Sequence, residues 1–69
     1  MNYKVALIGY GYWGSKLARN IQNSNYFQID YIVDKSKRNL EIAKKNFPLS
    51  KLINDYKKIN NHKIDLIVI

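Results

Sequence analysis

A chain of 69 residues with no cysteine and a single histidine has neither disulfides nor a cluster of metal ligands with which to staple a small fold. Its net charge of +7 comes from lysines spread along the chain instead of gathered in one block. That pattern reads as a solvated surface, and with no recognisable motif beside it a nucleic-acid partner is not expected. No apolar run approaches the roughly 18 residues of a membrane span. The first residues also lack the charged start, long apolar stretch and cleavage site of a secretory signal, so no membrane partner and a cytoplasmic location are expected.

Residues 3–9, YKVALIG, form a mainly apolar run that stops at a glycine and predict a strand buried on both faces, the kind found in parallel sheets. All three glycines of the chain follow within six positions, as Gly9, Gly11 and Gly14. This is the spacing G-x-G-x-x-G between a strand and a helix, and each glycine has a separate physical task there. Gly9 makes the tight turn, Gly11 leaves room for a pyrophosphate to reach the backbone, and Gly14 lets the helix lie close on the strand. The free N–H groups and positive dipole end of the helix then face the loop as an anion site. Tyr10, Tyr12 and Trp13 fill the variable positions, so their N–H groups are the expected phosphate donors and their rings the walls. Tyr12 and Trp13 read equally well as loop aromatics that shield the core, and a lesser alternative leaves Gly14 a packing glycine alone.

The helix carries Gly14, Leu17, Ala18 and Ile21 on one stripe, with Lys16, Arg19, Asn20 and Gln22 on the wet side; Asn-Ser-Asn at 23–25 ends it. Residues 27–34, FQIDYIVD, are rich in β-branched and aromatic side chains and predict a second strand. Asp34 closes that strand 20 residues beyond Gly14, where a dinucleotide fold places an acid to accept from the adenosine ribose hydroxyls. The alternative for Asp34 is a cap on the second helix beside Ser36. An acid at this position favours NAD over NADP, although Lys35 and Arg38 stand close by in sequence.

Ser36 caps a predicted helix over 37–47 with Leu40, Ala43 and Phe47 on its apolar face, and Pro48 stops it. Residues 50–53 predict a short third strand, 54–61 one or two helical turns capped by Asn54 or Asp55, and 63–69 a buried fourth strand. Asp30 and Asp65 are expected at an edge or in solvent, and His62 in an exposed polar turn. The alternation predicts an α/β fold of Rossmann type, a parallel sheet in the order 3-2-1-4 with right-handed crossovers. A chain that stops on an apolar strand further suggests that residues 1–69 are the N-terminal part of a longer dinucleotide-binding domain.

Taken together, VALIGYGYWGSKLARN, IDYIVDKSKRNLEIAKKNFP and INDYKKI…KIDLIVI resemble the N-terminal half-domain of the glucose–fructose oxidoreductase, inositol dehydrogenase and MocA-like (Gfo/Idh/MocA) family. The most specific stretch is G-Y-G-Y-W-G followed by Leu17, Arg19 and Asn20, which is similar to members acting on nucleotide-linked amino sugars and related sugars. Asp55-Tyr56 and the I-D-x-I-V-I strand fit the same pattern. The resemblance implies hydride transfer between a nicotinamide cofactor and a sugar or nucleotide-sugar hydroxyl, often in a dimer or tetramer. It carries Gly9, Gly11, Tyr12, Trp13, Gly14 and Asp34 over as cofactor contacts. It assigns no catalytic residue within the chain, because the family's T-P or T-N pair, its E-K-P lysine and its later histidine all fall beyond Ile69. Ser15 departs from the proline that many sugar-nucleotide members have there. Two other readings remain: an NAD-binding sensor without catalysis, and a methyltransferase using S-adenosylmethionine, whose usual G-x-G-x-G would put the third glycine one position earlier.

Overall fold

The computed structural model describes residues 2–69. Strand β1 (Tyr3–Ile8) leads through the glycine loop into helix α1 (Tyr12–Gln22), followed by β2 (Phe27–Val33), α2 (Lys37–Asn46), β3 (Lys51–Ile53), two 3-10 turns (Tyr56–Lys58 and Asn61–Lys63) and β4 (Leu66–Val68). The four strands form one all-parallel sheet in the order β3-β2-β1-β4, as the α/β alternation predicts. β4 lies beside β1, with Val5 opposite Leu66 and Leu7 opposite Val68.

Both long helices cover one face of the sheet. Ala18 of α1, with Ala43 of α2 and Phe47 at its end, packs with Leu7, Tyr10, Ile29 and Ile32, and Ile21, Leu40, Leu52 and Val68 close the edges. The small alanines let the helix backbones approach the strands. Leu17, expected on the α1 stripe, is left partly in solvent. The other face carries Ala6, Tyr31, Val33 and Ile59, joined by Ile8, Ile53 and Ile64, so among the described residues only the β3–β4 connection covers it.

The pairing of β1 with β2 slips by one residue: Val5 stands opposite Ile29 but Ala6 opposite Tyr31, and Asp30 has no partner across the ladder. Strand side chains alternate with period two, so a single bulged residue exchanges the faces beyond it. That is why Ile29 and Ile32, three apart, share the helix-covered core while Tyr31 and Val33 line the opposite one. The displaced Asp30 accepts from Gln28 Nε2 at 2.7 Å.

Two boundaries differ from the sequence expectation by more than one residue. Helix α1 already begins at Tyr12, so Gly14 sits inside its first turn. The fourth strand is three residues long, because Asn60 caps a turn over Asn61–Lys63 by accepting from the His62 N–H at 3.2 Å. The other caps follow the sequence: Ser36 Oγ accepts from the Asn39 N–H at 3.2 Å, and Asp55 Oδ1 from the Lys57 N–H at 3.0 Å.

Candidate cofactor site

The glycine loop is built by three glycines under three different constraints. Gly9 has φ of +103°, a conformation that side chains strain, and its N–H donates to the Val33 carbonyl at 2.7 Å, tying the turn to β2. Gly14 is a contact glycine: a Cβ there would be driven into the Gly9 carbonyl, 2.8 Å from its carbon. Gly11 is under neither constraint. Its φ of −79° suits any residue, and a Cβ built on it meets nothing within 4 Å. The protein's own packing therefore does not demand a glycine at 11.

Gly11 is also the N-cap of α1. It offers no side-chain hydrogen bond, and the first turn holds no acid, whereas α2 and both 3-10 turns carry side-chain caps. The first helical bond runs from the Ser15 N–H to the Gly11 carbonyl at 2.9 Å. The N–H groups of Tyr12, Trp13 and Gly14 are thus left without helical partners, at the positive end of the helix dipole.

Tyr10 departs from expectation. Its N–H donates to Asp34 Oδ2 at 2.8 Å, so it is already engaged and is not a free phosphate donor. Nor does its ring wall the site. Tyr10 is 3% exposed, packed edge-on against Phe47, with its hydroxyl accepting from Asn46 Nδ2 at 3.0 Å. Tyr12 and Trp13 lie on the outside of the helix start, 68% and 77% exposed. Their rings meet at 5.2 Å, and the Lys16 ammonium lies 4.4 Å from the Tyr12 ring centre, within the range of cation–π attraction.

At the carboxyl ends of β1, β2 and β3 a cleft of about 800 Å³ opens, lined by Gly9, Asp34, Lys35, Asp55, Tyr56 and Lys57 among others. This is where ligands bind in open parallel sheets. Of the six residues singled out in the sequence, Gly9 and Asp34 meet in this cleft. Gly11, Tyr12, Trp13 and Gly14 lie outside its lining, farther along the loop and in the first turn of α1. For Lys57 the sequence carries no signal beyond its place after the third strand, whereas Asp55 and Tyr56 read both as a capped turn and as part of the family pattern.

Asp34 combines the two roles that the sequence left as alternatives. Its Oδ1 accepts from the Ser36 N–H at 2.8 Å, which ties it to the start of α2. Its Oδ2 accepts from the Tyr10 N–H at 2.8 Å and from Asn39 Nδ2 at 3.1 Å. Partial burial pushes the carboxyl pKa up, but the hydrogen bonds from Ser36, Tyr10 and Asn39 outweigh it and hold the pKa below the ordinary aspartate value. The side chain is therefore an anion at neutral pH. A carboxylate has about four acceptor positions; three are filled, two on Oδ2 and one on Oδ1. The acceptor position left open is on Oδ1.

Among the described residues there is no group of three or more side chains suited to hold a metal ion, and no helix long and apolar enough to cross a membrane. His62 is exposed. A family model described as an oxidoreductase family with an NAD-binding Rossmann fold (GFO_IDH_MocA) matches residues 3–69. No curated protein and no solved structure matches the chain.

Proposed function

Since the chain belongs to the Gfo/Idh/MocA oxidoreductase family with its NAD-binding Rossmann fold, we propose that it binds NAD in preference to NADP through the loop Gly9–Gly14 and Asp34. In this reading residues 1–69 are the N-terminal part of the dinucleotide-binding domain of a cytoplasmic sugar or nucleotide-sugar dehydrogenase that works as a homo-oligomer. The groups that bind the sugar and move its proton are supplied by other residues. The methyltransferase reading is set aside, because the matching family is one of oxidoreductases.

A nicotinamide cofactor held here would supply hydride exchange with a substrate carbon. The work of this chain's own residues is to hold and orient. Gly9 turns the chain back, and Gly11 keeps the loop surface clear. The unpartnered N–H groups of Tyr12, Trp13 and Gly14 donate to phosphate oxygens at the positive end of α1. Asp34, ionised, accepts a ribose hydroxyl on its open Oδ1 position, and a 2′-phosphate there would meet a like charge.

The observation that carries this reading is Gly11: a glycine that the fold does not need, capping a helix whose N–H groups it leaves free. Serine is a better N-cap than most residues because its hydroxyl takes one of those N–H groups. Gly11→Ser is therefore expected to leave thermal stability unchanged or slightly higher while weakening NAD binding at least tenfold, measured by calorimetric titration. Unchanged NAD affinity in this variant would overturn the reading.

A further inference from the structure

The three donors on Asp34 differ in kind. Those from Tyr10 and Ser36 are main-chain N–H groups, fixed by the glycine loop and by the start of α2; that from Asn39 is the one side-chain donor, at 3.1 Å. Asn39 also serves the helix cap, but through a different atom, since its main-chain N–H donates to Ser36 Oγ at 3.2 Å. The cap therefore survives any change of the Asn39 side chain, and the two roles can be separated by substitution.

We propose that Asn39 is a positioning residue for cofactor choice: its carboxamide fills the second acceptor position of Asp34 Oδ2 and so holds the carboxylate in the orientation that leaves Oδ1 open to a ribose hydroxyl. The inference rests on the reading that Asp34 meets the adenosine ribose. Two main-chain donors on different oxygens fix the carboxylate at its near side, toward the loop and the helix start. Without the carboxamide the head group is free to tilt about that pair, and the open acceptor position loses its direction. A hydroxyl, which needs an aligned acceptor, suffers from the tilt. A 2′-phosphate gains, because the like charge is no longer held against it and Lys35 and Lys57 line the same cleft. Loss of Asn39 thus acts in opposite directions on the two cofactors, which a residue that merely supports α2 would not do.

The test is a double-mutant cycle in the full-length protein. Affinities for NAD and NADP are measured by calorimetric titration in wild type, Asn39→Leu, Asp34→Ser and the double variant, with thermal midpoints alongside. Asn39→Ala repeats the cycle with a smaller side chain that favours helix. Asn39→Leu should lower the NAD-to-NADP affinity ratio about fivefold, the scale of one aligned hydrogen bond. In the Asp34→Ser background it should leave the ratio unchanged. An equal loss of both cofactors, or the same change of ratio in both backgrounds, would overturn the proposal and leave Asn39 a structural residue. A ratio that Asn39→Leu does not move while Asp34→Ser collapses it would also overturn the proposal, with the ribose reading of Asp34 intact. If Asp34→Ser itself leaves the ratio unmoved, the ribose reading falls and the proposal with it.

Discussion

The two halves of this chain spend their hydrogen bonds differently. In β1–α1–β2 the strands are six and seven residues long, the core side chains Val5, Leu7 and Ile32 are fully buried, and the loop is tied across to its neighbour by the Gly9 N–H on Val33 and the Tyr10 N–H on Asp34. In β3–β4 the strands are three residues each and the two connecting 3-10 turns are capped within a few residues. The ties to the first half lie beside the strands: Ser50 Oγ on the Ile29 carbonyl at 2.6 Å, the Asp34 N–H on the Ile53 carbonyl at 3.1 Å, and two bonds of 2.8 Å between Lys4 and Asp65. Local bonds fix local shape, whereas bonds between distant segments fix the relative position of two elements. A phosphate-binding loop needs the second kind, because its donors must stay aimed while a ligand comes and goes. The first half accordingly holds the glycine loop and Asp34 by bonds between distant segments, whereas the cleft residues Asp55, Tyr56 and Lys57 sit on a turn whose cap is local.

The sharpest way to break that contrast is at Gly14. A methyl group there is pushed into the Gly9 carbonyl and carbon, both backbone atoms that cannot step aside without moving α1 off β1. Gly14→Ala should cost several kcal/mol, on the order of 3 or more, despite the gain in helix propensity; an unfolding midpoint like that of wild type would disprove the contact. A core pair comes next. Ile32 is fully buried between the sheet and the helices, and Ile67 on β4 is 51% exposed. Ile32→Ala should cost about 2–5 kcal/mol and Ile67→Ala under about 1 kcal/mol, by denaturant titration. Comparable losses would mean that the two halves form one core of even strength.

How much of this was legible beforehand follows the same division. The sheet order, both helices, the Ser36 cap and the glycine loop could all be read, because each rests on a local pattern with a local cause. Position 10 was misread: the sequence marks it only as variable, while the turn at Gly9 sends the Tyr10 ring into the core against Phe47. The bulge at Asp30 was invisible too, since only pairing with β1 reveals that one residue is skipped. Asp34 was correctly placed at the strand end, and its engagement with Ser36 had a signal in the D-x-S spacing of an Asx turn. Its bonds to Tyr10 and Asn39 join segments that sequence spacing does not relate. Likewise β4 was read too long, because the polar cap at Asn60 shortens a run that is otherwise apolar.

The Asp34 clasp gives an intermediate effect with a pH signature. Asp34→Ala leaves two main-chain N–H groups and a carboxamide without their acceptor and should cost about 1–3 kcal/mol. The folded-state pKa of Asp34 lies below the ordinary value, so the folded form binds fewer protons than the unfolded one between the two. Its stabilisation is fully present above the unfolded value, near 4, and is lost as pH falls through the folded pKa. Asp34→Asn should therefore show a shallower loss of thermal midpoint than wild type between about pH 5 and pH 3. Parallel acid limbs would remove Asp34 from the account of acid sensitivity.

The smallest expected effect belongs to Asp55, which lines the same cleft as Asp34 and makes a fair control. Both carboxylates begin a turn by accepting from a main-chain N–H two residues ahead, Ser36 for Asp34 and Lys57 for Asp55. Asp55 has no bond to a distant segment, and its turn is a single 3-10 step over Tyr56–Lys58. Removing it leaves one exposed N–H that water can satisfy, so Asp55→Ala should cost about 0.5–1 kcal/mol. Its effect on the cofactors has a sign of its own. Taking a negative charge from a cleft that also holds Lys35 and Lys57 makes the wall more positive, which should favour NADP slightly, by about twofold, with little change for NAD. A loss of stability equal to that of Asp34→Ala would show that the two turns are held alike, and the contrast between a tied frame and a locally capped wall would fail.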